Sequence, residues 1–182
     1  MTDDRTGAAK HRPASVGTLG SLLYHAYVIE AEAEARYLEL AEQMEQHNNP
    51  EVAALFRQLA EYEGKHAEHV GSIRPAAPRP PLDPWDFSWM GSEAPESIPH
   101  QSVSYNLTPR KALELSLIAE KAAEKFFINL AGISDDAEIS ALARGFANEE
   151  RVHVKMIERE MEKYPPEVDE AADDWDEPVD QG

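Results

Sequence analysis

The 182-residue chain contains no cysteine. That excludes disulfides, zinc–thiolate knuckles, rubredoxin-type iron and thiolate-held iron–sulfur clusters, so any bound metal must rest on oxygen and nitrogen donors. Bases are scarce, with 17 Lys and Arg against 35 Asp and Glu and a formal charge of −18. A nucleic-acid or anionic-membrane surface needs clustered bases and is excluded on that count. No apolar run approaches the ~18 residues of a membrane span, and the N-terminal residues lack the apolar segment of a secretory signal. The expectation is a soluble, cytoplasmic protein without nucleic-acid or membrane partners, whose favoured ligands are cations.

What the sequence does have is helical periodicity, in four long segments that proline and asparagine punctuate. The first runs from about Leu19 to His47 and stops at Asn48-Asn49-Pro50. The second begins there, with Asn49 as N-cap and Pro50 in the first turn, and ends near Arg74 before a proline-rich stretch. The third opens at Thr108-Pro109 and closes at Gly132. The fourth opens at Ser134-Asp135-Asp136 and halts at Pro165-Pro166. Two helical hairpins joined by one long crossover, residues 75–107, predict an all-α, ferritin-like four-helix bundle. The expected organisation is a flexible N-terminus over 1–18, the bundle over 19–164 and an acidic tail over 165–182, which holds eight acids and no base. In the crossover, Trp85, Phe87, Trp89 and Met90 are apolar enough to pack over the bundle.

The core stripes carry residues that do not belong in a core. Alternating steps of three and four place Glu30 among Ala26, Ala33 and Tyr37, and Glu63 and His66 among Leu59 and Val70. The same steps place Glu120 between Ser116 and Ala123, and Glu150 and His153 between Phe146 and Ile157. Four carboxylates converging in one core would be untenable without compensating cations. In the E-x-x-H pairs Glu63/His66 and Glu150/His153 both side chains share a helix face, so each pair can deliver a carboxylate and an imidazole to one point. With Glu30 and Glu120 the set reaches four carboxylates and two imidazoles, the inventory for two iron ions, with manganese as the alternative. The stretches EAEAEARY from Glu30 and EKAAEKFF from Glu120 resemble each other, which implies an internal repeat with half of the ligands in each hairpin.

On these residues the chain resembles the ferritin-like domain of rubrerythrins, within the ferritin-like di-iron carboxylate superfamily, over residues 19–163. Carried over, the family's metal ligands fall on Glu30, Glu63, His66, Glu120, Glu150 and His153. There are two departures. The cysteine-ligated rubredoxin iron is missing, and the further glutamate that the family often carries one turn after the helix-3 ligand is replaced by Ala123, with Glu124 beside it. The resemblance implies a non-haem di-iron oxidoreductase of oxidative-stress defence or iron handling. It would be a peroxide reductase or ferroxidase acting on hydrogen peroxide or dioxygen, fed by an external reductase, and a homodimer. The alternative is a non-enzymatic ferritin-like iron-binding or storage protein.

Around this set, Glu34 and Glu124 are candidates for additional ligands or for acceptors from histidine N–H groups, with solvated edge positions as the alternative. Tyr37 and Tyr27 sit where a hydroxyl can hydrogen-bond a carboxylate near the metals, against a plain core role. Glu32 falls off the stripe and is expected to be exposed. His25, His47, His69 and His100 have no partner pattern. Gly64, inside the helix-2 E-x-x-H, costs ~1 kcal/mol of helix propensity and is expected to relieve crowding or leave a channel beside the site.

Overall fold

The computed structural model describes residues 18–73, 94–96, 98–99, 102–104 and 106–166. Trp85, Phe87, Trp89 and Met90, the N-terminal segment and the acidic tail lie outside the described residues. Four helices are formed: α1 over Leu19–Gln46, α2 over Pro50–Ile73, α3 over Pro109–Ile133 and α4 over Ala137–Met161. Their starts are capped as the sequence dictates. The Thr18 and Thr108 hydroxyls accept from the Ser21 and Lys111 backbone N–H groups, and the Asp136 carboxylate accepts from Glu138 and Ile139.

The α1–α2 turn is made possible by Asn48, whose φ of 58° lies in the left-handed region that asparagine tolerates. Asn49 then accepts from the Val52 N–H and donates from Nδ2 to the Leu107 carbonyl at 2.7 Å, tying the end of the crossover to this turn. Helix α3 runs one residue past the expected stop. Gly132 stays helical, and Ser134 caps the end by donating its N–H to the Leu130 carbonyl. No glycine among the described residues has a positive φ, so Gly132 is not used as a left-handed stop.

The core divides into two apolar layers, and the division fixes the topology. One layer takes Tyr37, Leu40 and Met44 from α1, Val52, Phe56 and Leu59 from α2, Leu113 from α3 and Ile157 and Met161 from α4. The other takes Leu22, Ala26 and Ile29 from α1, Val70 from α2, Phe127 and Leu130 from α3 and Ile139 and Phe146 from α4. Helices α1 and α4 thus run from the second layer to the first, while α2 and α3 run the opposite way. The crossover therefore carries the chain the length of the bundle, so that α3 runs parallel to α2. In every helix the stripe glutamate falls at the join between the layers.

Candidate metal centre

At that join Glu30, Glu63, Glu120, Glu150 and His153 are all buried, on four different helices. His153 is the point of convergence. Its Nδ1 lies 3.1 Å from Glu120 Oε2, 3.5 Å from Glu150 Oε2 and 4.0 Å from Glu63 Oε1. Glu63, Glu120 and His153 each offer one ligand atom within 4.8 Å of the others, close enough to share an ion.

A fifth carboxylate joins them that the sequence reading missed. Glu96 lies in the crossover, 1% exposed, between the buried Ala94 and Ile98. It completes two further groups of the same reach, one with Glu30 and Glu63 and one with Glu120 and Glu150. The signal in the sequence was slight: an acid two residues from an alanine and an isoleucine in a stretch with no helical period. Its backbone is held by Arg36, a second residue the sequence reading passed over, which is buried and donates from Nε to the Ile98 carbonyl at 2.8 Å. The same guanidinium pairs with Glu39 at 2.7 Å.

The electrostatics follow from crowding like charges out of water. Burial, then the charges of Glu96 and Glu63, push the Glu30 carboxyl well above the carboxylate range. Burial and the charge of Glu150 raise Glu96 well above it, and burial with Glu30 and Glu120 does the same to Glu150. Glu63 is raised by burial and Glu120 to about 7, with His153 and Glu30 pulling the other way. Burial disfavours the His153 imidazolium, but the hydrogen bond to Glu120 and the charges of Glu120, Glu63 and Glu149 outweigh it, so its pKa rises. His66 moves oppositely: burial and the neighbouring His153 push it down to about 4.

The remaining sequence candidates fall at different distances from this cluster. His66 is half-buried, with Nε2 3.2 Å from His153 Nε2 and the ring centroids 4.4 Å apart, and it belongs to none of the three-residue groups. Tyr37 is buried beside Phe56 and donates its hydroxyl to Glu120 Oε1 at 3.4 Å. Glu34 lies outside the groups: its carboxylate sits where a Cβ on Gly64 would come within 2.7 Å of Oε1. With Tyr27 and Gly64 it lines a separate cavity between α1 and α2. Glu124 is engaged by Arg151 at 2.7 Å. Glu32, His47 and His69 are exposed, His25 is buried with Nδ1 2.7 Å from the Ser21 carbonyl oxygen, and His100 lies outside the described residues.

These residues fit a cation site on the chemistry of their orphaned atoms. Both oxygens of Glu96, both of Glu150 and Oε2 of Glu30 and of Glu63 are buried without a hydrogen-bond partner. Carboxylates only accept, so Glu96 and Glu150 can bond each other only if one carries a proton. Buried charges persist when they are paired or coordinate metals, and hard oxygen donors with imidazole nitrogen suit iron or manganese. A cavity of about 180 Å³ between α2, α3 and α4 reaches Glu63, Glu120 and His153 past the apolar Leu55, Leu59, Leu113 and Ile157. Its lining extends to the exposed Gln58 and Arg159. No helix among the described residues is long and apolar enough to cross a membrane.

Comparison with known proteins agrees with this architecture. The Rubrerythrin family model matches residues 21–73, the hairpin that carries Glu30, Glu63 and His66. A crystal structure of an uncharacterized conserved protein from Magnetospirillum magnetotacticum MS-1 is 32% identical. It superposes with a TM-score of 0.64 over 83% of this chain and 98% of that one. No curated protein matches significantly. With four helices in two hairpins, a carboxylate cluster at their centre and a relative of this identity along nearly its whole length, the chain belongs to the rubrerythrin-like family of ferritin-like proteins.

Proposed function

We propose that the protein is a non-haem di-iron oxidoreductase, which reduces hydrogen peroxide or dioxygen with electrons from a separate reductase. The observation that carries this reading is the convergence of Glu63, Glu120 and Glu150 on His153, with Glu30 grouped beside Glu63 and with buried carboxylate oxygens that no protein donor satisfies. Two bound iron ions would supply the electrons and the Lewis acidity for breaking an O–O bond.

The chain's own residues do the rest. Glu30, Glu63, Glu120, Glu150 and His153 would hold the irons. His66, kept neutral by burial, has a free imidazole nitrogen to offer as a sixth ligand. The Tyr37 hydroxyl fixes one oxygen of Glu120 and so turns that carboxylate toward His153. Leu55, Leu59, Leu113 and Ile157 line the cavity of about 180 Å³ that reaches Glu63, Glu120 and His153, room enough for a molecule of peroxide size. A cytoplasmic location and a homodimer belong to the same reading.

Elemental analysis of protein produced in iron-replete medium tests it, with peroxide consumption followed in the presence and absence of a reductase system. Two irons per chain and reductant-dependent peroxide consumption are expected. Many irons per chain without peroxide consumption would establish the storage alternative, and an iron-free protein would end both.

A further inference from the structure

Glu96 is the one member of the carboxylate cluster that no helix supplies. A glutamate in a crossover is free to face water, and burying it as an ion costs several kcal/mol unless a cation answers it. Here it is turned inward between the buried Ala94 and Ile98, and the Arg36 bond to the Ile98 carbonyl holds the segment in place. No Lys or Arg among the described residues pairs with it: Arg36 Nε and Nη1 bond Ile98 and Glu39, and Arg36 Nη2 is buried without a hydrogen-bond partner. Packing does not ask for a carboxylate either, because an aliphatic side chain like its neighbours would fill the space without a charge. Both of its oxygens are buried and unpartnered. The carboxylate lies within reach of Glu30 and Glu63 from the first hairpin and of Glu120 and Glu150 from the second.

We propose that Glu96 is itself a ligand of the di-metal centre, a fifth carboxylate that reaches the ligands of both hairpins, so that metal loading fastens the crossover onto the bundle. This rests on the di-metal reading above. The segment around Glu96 and the metals are then thermodynamically linked: what orders residues 94–96 and 98–99 tightens metal binding, and metal removal loosens them.

The test uses the full chain as wild type, Glu96→Gln and Glu96→Asp, with Glu32→Gln as an exposed control. Fe(II) and Co(II) affinities are measured anaerobically against a chromophoric chelator, and hydrogen exchange at the Ala94, Glu96 and Ile98 amides is compared between apo and loaded protein. Wild type and Glu32→Gln should bind two metals and gain protection at the Ala94, Glu96 and Ile98 amides. Glu96→Gln should stay folded as apo protein, bind at least one metal about tenfold or more weakly for want of an anionic oxygen donor, and lose the protection gained on loading. Glu96→Asp, which keeps the charge on a shorter arm, should recover part of both. Two metals bound with unchanged affinity and protection by Glu96→Gln would overturn this proposal alone. Unfolding of apo Glu96→Gln would overturn it as well, since glutamine has the same shape and a fold that needs the carboxyl without metal would give Glu96 a structural role instead. Failure of the wild type to bind two metals would overturn the di-metal reading and this proposal with it.

Discussion

Arg36 Nε donates to the Ile98 carbonyl at 2.8 Å, fastening the crossover to α1 two residues from Glu96. Arg36 is itself buried on α1, so one buried guanidinium holds the backbone beside the carboxylate cluster. Replacing it by methionine keeps most of the volume and leaves the Ile98 carbonyl without its donor. A buried hydrogen bond from a charged group is worth about 1–3 kcal/mol, and a chain of this size loses about 2–4 °C of melting temperature per kcal/mol. Arg36→Met should therefore melt several degrees below wild type, with faster hydrogen exchange at the Ile98 amide and no change at the α3–α4 turn. An unchanged melting temperature would show that the crossover is held by Ile98 packing alone.

Ligation is tested by removing two buried side chains of the cluster and one exposed glutamate outside it. Glu63 and His153 share a group with Glu120, whereas Glu32 is exposed. Glu63→Ala and His153→Ala should each lower bound metal from about two per chain to one or fewer, while Glu32→Ala keeps it, as read by elemental analysis. Full occupancy in His153→Ala would be incompatible with its place at the centre of three carboxylates.

Much of this was legible in the sequence because helices advertise themselves. The three-and-four spacing put Glu30, Glu63, Glu120, Glu150 and His153 on inward stripes, and Thr108-Pro109 and Asp136 marked helix starts that the structure uses. Glu96 stayed hidden because the crossover has no period from which to read a direction. The two histidines of the E-x-x-H pairs sit differently. His153 collects Glu120, Glu150 and Glu63 around Nδ1, whereas His66 faces the His153 ring. Spacing places two residues on one helix face but not at one depth, and depth is set by how the hairpins pack.

The buried carboxyls give the metal-free protein a definite pH dependence. Glu63 is held at about 7, and Glu30, Glu96 and Glu150 are also raised, against an unfolded value near ~4.3. Each binds its proton more tightly folded than unfolded, so its contribution is present at low pH and is lost as pH rises through the folded value. His153, with its raised pKa, acts with the same sign. His66, lowered to about 4, opposes them only below the ordinary histidine value of ~6.5, so the clean window is pH 6.5–8. In that window the melting temperature of apo protein should fall as pH rises. Loaded protein should not show the fall, because metal replaces the protons and binds better as they leave. A flat apo profile from pH 6.5 to 8 would contradict a buried carboxylate cluster.

Gly64 separates a structural role from a role at the site. A Cβ there would come within 2.7 Å of Glu34 Oε1, but that atom ends a flexible side chain, and Glu34 stands outside the carboxylate groups. Gly64→Ala should displace Glu34 at little cost and gain up to ~1 kcal/mol of helix propensity. Thermal melting should show equal or higher stability with metal content unchanged. Loss of metal in Gly64→Ala would show that Glu34 takes part in binding after all.

Electron supply gives the last prediction. Two Fe(II) ions hold two electrons, the number needed to reduce one peroxide to water. With no cysteine, the chain has neither a rubredoxin-type iron nor a redox thiol from which to draw a second pair. Protein loaded anaerobically with iron and mixed with peroxide in a stopped-flow instrument should therefore consume about one equivalent per site in a single burst and stop, in keeping with the stated two-electron capacity. Adding a reductase system should restart consumption at a rate set by the donor concentration. His153→Ala, which loses iron from the cluster, should lose the burst in proportion to the iron it fails to bind. Sustained consumption without any donor would mean that peroxide serves as both oxidant and reductant, a dismutation that needs no external reductase. An iron-loaded sample with no burst would mean that the irons are stored or structural and that the cavity beside Leu59 and Ile157 does not lead to a reactive centre.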